Sequence, residues 1–283
     1  AIFDVGSVDT DDDAYTGETQ FMYTYTMNLN TSFTGDDNLY TRIKTGNHSS
    51  WSKTKSVYNT YLSSGNGNAD ELKVDKLWYS TPVGENHTIT FGPKIENYYM
   101  HATTPSIYEP VLKAFTLGGN AAAYGASTSP GAGWAYSADN GFAVSSNVTT
   151  QKGNTSTGIL TNQGKTSWAT QVGYTKPTYS VSALVNMKYN SWTDSYFMST
   201  DGSARAGDGN STNIGLRGWW RPSNSDTAMP SVSVGFDTSE TDASTNSNTT
   251  AYFVGLNWTD VINADDKIGL AFGQPQKAEG ETI

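Results

Sequence analysis

The chain has 283 residues, a formal net charge of −10 and no cysteine, which excludes disulfides and thiolate metal sites and argues against general nucleic-acid binding. Hydrophobic residues make up 36% of it and aromatic residues 12%, led by 17 Tyr and 8 Trp. No apolar run approaches the roughly 18 residues of a membrane helix, but a β-barrel needs apolar residues on only one face of each strand, so composition favours a soluble acidic protein without excluding a membrane wall.

Residues 1–8 read as the end of a first strand, and 6–18 as a polar loop carrying Asp9, Asp11, Asp12 and Asp13. That acidic run lacks the Gly and distal Glu spacing of a calcium loop and reads as solvated. In the first arm of the stretch from Thr19 to Asn47 the alternation is strict: Phe21, Tyr23, Tyr25, Met27 and Leu29 fall on one face, and Gln20, Met22, Thr24, Thr26, Asn28 and Asn30 on the other. Period two means a strand with one apolar and one polar face. Its length, beyond the usual five or six residues, matches the roughly 9–11 tilted residues that cross a bilayer. Thr34–Asn38 turns the chain into a second alternating arm, with Leu39, Thr41 and Ile43 opposite Tyr40, Arg42 and Lys44.

Residues 46–70 form a long polar loop. Leu72, Val74, Trp78 and Tyr79 mark a fourth strand whose register blurs after Lys76, and Ile89 and Phe91 a fifth that runs to about Ile95. The longest unpatterned segment, 96–130, contains a stretch from Pro105 to Leu117 that reads as a short helix stopped by Gly118 and Gly119. Strands six and seven flank the turn Ala138–Gly141. Strand eight carries Trp168, Val172 and Tyr174. Strand nine turns Tyr179, Val181, Ala183, Val185, Met187 and Tyr189 one way and Ser180, Ser182, Asn186 and Lys188 the other. Strand ten sets Ile214, Leu216 and Trp220 against Asn213, Arg217, Trp219 and Arg221. Strands eleven to thirteen carry Val232 to Phe236, Tyr252 to Trp258 and Ile268 to Phe272, followed by a polar tail from Gln274.

The connections alternate long and short throughout: 6–18, 34–38, 46–70, 82–86, 96–130, 138–141, 152–165, 176–178, 190–210, 222–230, 238–248 and 260–266. A Greek-key sandwich has no reason to keep that order, whereas an outer-membrane meander has short turns on one side and long loops on the other. The sequence therefore predicts an all-β fold, a transmembrane antiparallel up-and-down β-barrel over 1–283, with Tyr174, Tyr179, Trp220 and Trp258 placed for an interfacial girdle. Phe21, Tyr23, Tyr25, Leu29, Val181, Val185, Leu216, Val254 and Leu256 are expected to face lipid. On this reading Val185→Arg costs more than Asn186→Arg.

Tyr40, Arg42, Lys44, Lys73, Lys94, Lys188, Arg217, Trp219 and Arg221 fall on or near polar faces and are the candidate pore-lining residues. Basic groups in a wet lumen favour anions or polar neutral solutes, or else pair with acids and brace the wall. Aromatic rings beside polar donors suit sugar faces and equally serve as filler. The segment 96–130 is the candidate constriction if it folds into the lumen, and a cap if it does not. His48, His87 and His101 share no metal spacing, and there is no nucleophile elbow or phosphate loop. No catalytic residue, metal or cofactor is expected.

The stretches LNTSFTGDDNLYTRIKTGN, from Leu29 to Asn47, and VDKLWYSTPVGENHTITFG, from Val74 to Gly92, resemble the cyanobacterial branch of the carbohydrate-selective (OprB-type) porins, and the same strand rhythm runs through nearly the whole chain. The resemblance implies an outer-membrane barrel of about sixteen strands, usually a homotrimer, that admits small solutes passively. Sugars are the solutes in the named type and inorganic ions in the cyanobacterial branch. Members of that family often carry an N-terminal cell-wall-anchoring domain and end on a strand with a terminal aromatic, whereas this sequence opens on AIFDVGSV and ends on Gly280–Ile283.

The reading is an outer-membrane porin for ions and other small hydrophilic solutes, with the bilayer and two further copies as partners, no nucleic acid and no enzymatic activity. The alternative is a soluble or cell-surface, lectin-like β-rich protein that binds carbohydrate. No basic n-region followed by an apolar core opens the chain, so an export leader is expected to have been removed. Thirteen strands are counted, and since bacterial barrels usually have an even number, one to three more are expected beyond Ile283 and part of one before Ala1. Direct closure of an odd-stranded barrel is the alternative.

Overall fold

Thirteen strands, each paired antiparallel with its sequence neighbours, form one sheet in chain order. They are β1 Ile2–Gly6, β2 Gln20–Thr31, β3 Asn38–Gly46, β4 Lys73–Val83, β5 His87–Ile95, β6 Ser129–Ser137, β7 Phe142–Gln151, β8 Lys165–Lys176, β9 Tyr179–Tyr189, β10 Ser211–Trp220, β11 Ser231–Thr241, β12 Asn248–Thr259 and β13 Lys267–Ala278. The structure, a computed structural model, describes residues 1–9, 17–52, 61–119, 122–124, 127–156, 158–159, 161–192, 209–223, 229–242 and 248–278. Most of the acidic run and parts of the long loops and of the tail therefore lie outside the described residues.

The register turns alternation into continuous rows. Tyr174, Val181, Gly218, Val234, Val254 and Phe272 sit opposite one another across β8 to β13, and apart from Gly218 they form an apolar band on the outer face. Phe21, Val181 and Leu216 are 68%, 55% and 50% exposed. Tyr25, Leu29, Val185 and Val254 are exposed too, while Tyr23 and Leu256 are only half so. The inner face reverses this. Asn147, Ala169, Asn186, Asn213, Ser239 and Thr249 form one row from β7 to β12, and all of them are buried. A sheet with an apolar outer face and a polar inner face is the architecture of an outer-membrane barrel wall, the reverse of a soluble sandwich.

Short turns join the strands at one rim. In the β2–β3 turn Asp37 collects the Ser32 and Thr34 hydroxyls and the Phe33 and Thr34 amides on Oδ1, and the Tyr79 hydroxyl on Oδ2. The Ser32 hydroxyl foremost, with the other donors, holds its carboxyl well below the usual carboxylate range. Gly141 takes φ 97° in the β6–β7 turn, a left-handed conformation that favours glycine. Tyr174 and Tyr179 pair their rings across the β8–β9 turn, with centroids 6.3 Å apart.

One local expectation finds its cause and two differ from what is found. The blurred register of β4 is a β-bulge: Arg42 pairs with Lys76 but Ile43 with Val74, leaving Asp75 as the extra residue. β13 does not end at Phe272 but continues to Ala278 through an irregularity near Pro275, where Gln276 is buried against Thr249 and Ser239. A polar stretch can extend a strand here because the inner face supplies hydrogen bonds. No helix spans Pro105–Leu117. Asn97–Met100 and Lys113–Gly118 form short 3-10 turns, and the amides of Ile107, Tyr108 and Glu109 donate instead to Ser233 Oγ and Asn257 Oδ1 on the wall. Pro105 and Pro110 lack the donors a helix needs. The expected stop is present, with Gly119 at φ 119° and its amide bonded to the Thr116 carbonyl.

Candidate functional site

The inner face of β5 to β13 is covered by the connection between β5 and β6, and a row of glycines makes this close approach possible. A Cβ at Gly133 would meet Met100, at Gly173 Thr103, at Gly215 Ala123, at Gly235 the Gly118 carbonyl and at Gly255 Tyr108. Glycine on the inner face lets the connection lie backbone-to-backbone on the wall.

Polar side chains of the wall then hold this segment. Asn97 donates to Asn147 Oδ1 at 2.7 Å and accepts from Thr149 Oγ1 at 2.9 Å. Gln171 accepts from the Thr103 amide and donates to the Thr103 carbonyl, both at 2.9 Å, and also to the Tyr124 hydroxyl. Asn186 donates to the Ala123 carbonyl at 3.0 Å. Burial pushes the Tyr98, Tyr99 and Tyr124 phenols up and the His101 imidazole down to about 3. At neutral pH His101 is therefore uncharged, beside Ser145 and Asn147.

Three of the candidate pore-lining residues belong to this buried contact. Lys188 Nζ donates to the Ala122 carbonyl at 2.7 Å. Trp219 Nε1 donates to the Thr104 carbonyl at 3.1 Å. Arg217, 4% exposed, pairs with Asp237 at 2.6 Å, donates to the Leu117 carbonyl at 2.8 Å and lies 4.5 Å from the centroid of the Tyr124 ring. A buried pair of this kind fixes one arrangement more than it adds net stability.

A second group stays half-exposed on β3 and β4. Tyr40 stacks on Trp78 with centroids 4.1 Å apart, and Trp78 in turn meets Tyr99 at 4.7 Å. Arg42 donates to Asp75 at 2.5 Å and to the Tyr99 hydroxyl at 2.9 Å. Lys44 stands on the same face, opposite Lys73. Lys76, buried beside Arg42, pairs with Glu96 at 3.1 Å.

The remaining candidates sit at the rims. Lys73 is exposed and paired with Glu71 at 2.6 Å, and Lys94 donates to the Val74 carbonyl at 2.8 Å. Arg221, just past β10, donates to the Pro177 carbonyl at 2.7 Å, with its guanidinium 5.6 Å from the Trp219 ring. Lys76, Asp75, Trp78, Tyr99, Gln171 and Asp237 escaped the sequence reading. The bulge hid the first three. For Asp237 and Gln171 the available signal was parity, since each falls on an inner row; the recurrent inner glycines carried the same information about the covering segment.

The β3–β4 connection also folds inward. His48 Nε2 lies 2.9 Å from Asp4 Oδ2, which accepts from Ser64 Oγ at 2.9 Å. Residues 61–63 pair with 111–113 through the Leu62–Leu112 bridge, with Ser63 N to Val111 O and Lys113 N to Tyr61 O both at 2.7 Å. Two connections are thus joined across the inner side, one anchored on β1 and β2 and the other on β7 to β12.

No family model matches the chain. An uncharacterized protein of Synechocystis sp. is 33% identical over 75 residues, which are 26% of this chain and 14% of that protein. Among solved structures, OprB of Pseudomonas putida superposes with a TM-score of 0.59 at 9% identity, covering 95% of this chain and 70% of that one. A loop-deletion mutant of OmpT, an outer membrane protein of Vibrio cholerae, superposes with a TM-score of 0.54 at 11% identity, covering 96% and 76%. Identities this low speak to fold alone, and the fold shared is the outer-membrane β-barrel.

Proposed function

We propose that the chain forms a water-filled channel in the bacterial outer membrane through which small hydrophilic solutes diffuse passively. The observation that carries this reading is the inversion of the sheet, with apolar rows exposed outside and hydrogen-bonded polar rows inside. The described part of the segment 96–130 covers the inner face and sets the narrow zone. Solutes pass along the face that keeps Tyr40, Arg42 and Lys44 half-exposed, and the excess of positive charge there favours inorganic anions, with polar neutral solutes such as sugars next. The resemblance of Leu29–Asn47 and Val74–Gly92 supports membership of the OprB-type porins and assembly as a homotrimer, and the likeness to OprB supports the barrel fold. The role is transport, not catalysis.

Purified protein added to a planar bilayer tests this. Discrete, ohmic conductance steps, with reversal potentials displaced towards anions in a salt gradient, are expected. Protein that stays dispersed without detergent and gives no conductance overturns the reading in favour of a soluble β-rich binding protein.

A further inference from the structure

The ladders of β4 and β5 part near the rim that carries the long connections. β4 is bulged at Asp75, and β5 is irregular between Gly92 and Ile95, so beyond the Tyr79–Phe91 pair the only registered pair is Leu77 with Lys94. A cleft opens there between the starts of β4 and β6 and the ends of β3 and β5. Lys44, Lys73, Lys94, Lys152, Asn66 and Asn154 line it. The acidic residue in the lining, Asp75, is already engaged by Arg42. Among the described residues, the amide nitrogen of Asn66 is buried with no acceptor.

We propose that this cleft binds a phosphate-type oxyanion. Four lysines and three asparagines line the cleft in a chain whose net charge is −10, and although Lys73 is paired with Glu71 and Lys94 donates to the Val74 carbonyl, the cleft is a local inversion of the protein's overall field. A ligand for it needs negative charge and several acceptors, and has no need of donors. Tetrahedral oxyanions meet that description, and charge-assisted hydrogen bonds from lysine are short and strong. A cation is repelled, and a neutral sugar leaves uncompensated the positive charge that remains after Glu71 pairs with Lys73 and Asp75 with Arg42. Asn66 lines the cleft with an amide nitrogen that has no acceptor, while Lys73 and Lys94 are exposed.

Such a group has two sources: inorganic phosphate arriving at the rim, or the phosphate of a lipid headgroup, since strand ends lie at headgroup depth. Titration calorimetry of the detergent-solubilised chain with inorganic phosphate tests the first. Native mass spectrometry with a bisphosphorylated glycolipid, against the same glycolipid dephosphorylated, tests the second. Each is repeated with the variant Lys73→Ser, Lys94→Ser, Lys152→Ser, which leaves Arg42, Lys44 and Lys76 in place. The expected result is saturable binding of at least one phosphate-bearing probe, weakened about tenfold or more in the variant. Phosphate binding alone assigns the free ion, and selective retention of the phosphorylated lipid assigns the membrane. Equal affinity in the variant, equal retention of both lipids without phosphate binding, or no binding of either probe overturns the proposal. Neither measurement needs a current, so its outcome is independent of whether the protein conducts.

Discussion

The carbonyl oxygen of Gly118 lies on the α-carbon of Gly235, in the space a β-carbon there would take. Gly118 itself has φ 74° and packs against the Arg217 side chain, so the apex of the β5–β6 connection is seated on the wall backbone by two glycines at once. Gly235→Ala is expected to lift this apex at a cost of about 1–3 kcal/mol while leaving the sheet paired. Gly218→Ala, on the outer face with its nearest neighbour at 3.5 Å, is the tolerated counterpart. Limited proteolysis within 96–130, alongside thermal unfolding, separates the two. Equal protease resistance in both would mean that the seat does not hold the segment.

Arg217 and Asp237 form a buried pair beneath the same apex. Arg217→Met alone leaves a buried carboxylate and is expected to destabilise by about 3–5 kcal/mol. The double variant Arg217→Met, Asp237→Leu recovers most of that loss, as read by the midpoint of thermal or denaturant unfolding. A double variant as unstable as the single one would show that the lost contacts to the Leu117 carbonyl and Tyr124 dominate.

Burial holds the His101 imidazole at about 3, against the ordinary value near 6.5 for an exposed histidine. The sign follows from linkage. Because the docked segment binds fewer protons than the released one, docking has its full strength above pH 6.5 and weakens progressively as pH falls towards 3. Acidification from pH 7 to pH 4 is expected to raise protease access to 96–130. His101→Gln, which cannot charge, flattens that profile; an unchanged profile in this variant would assign the acid response to another group.

Val185 is outward and near mid-strand, so Val185→Arg is expected to cost about 2–4 kcal/mol in refolding from denaturant into lipid. Asn28 is on the inner face and exposed, and Asn28→Arg is expected to cost less than about 1 kcal/mol. Asn186 is not the mild inner-face comparison its parity implied, because it is fully buried under the Ala123 carbonyl. Similar losses for Val185→Arg and Asn28→Arg would contradict a lipid-facing outer row.

Replacing Arg42 and Lys44 together by Ser removes the half-exposed positive charge. Reversal potentials in a salt gradient are expected to move from anion towards cation preference, because confined charges are screened less than surface ones. A shift of the opposite sign would place the selective zone elsewhere.

The strand rhythm was legible in the sequence because lipid outside and polar groups inside impose a strict period of two. The alternation of short turns with long connections followed from turn chemistry at Asp37 and at Ala138–Gly141. Even the error over Gln274–Ala278 is instructive: polarity reads as tail only when no inner face is there to satisfy it. What the chain order could not reveal was the fate of the inner side chains. Parity placed Lys188, Arg217 and Trp219 inward, but their burial depends on a segment about 70 to 120 residues away in sequence, seated by contacts such as those of Gln171 with Thr103. Likewise the bulge at Asp75 moves Lys76 and Trp78 to the inner face; the blurred pattern after Lys76 marks the break but not the one-residue shift behind it. Period is a local property and is written along the chain, whereas burial of a polar face is decided by whichever distant backbone comes to rest on it.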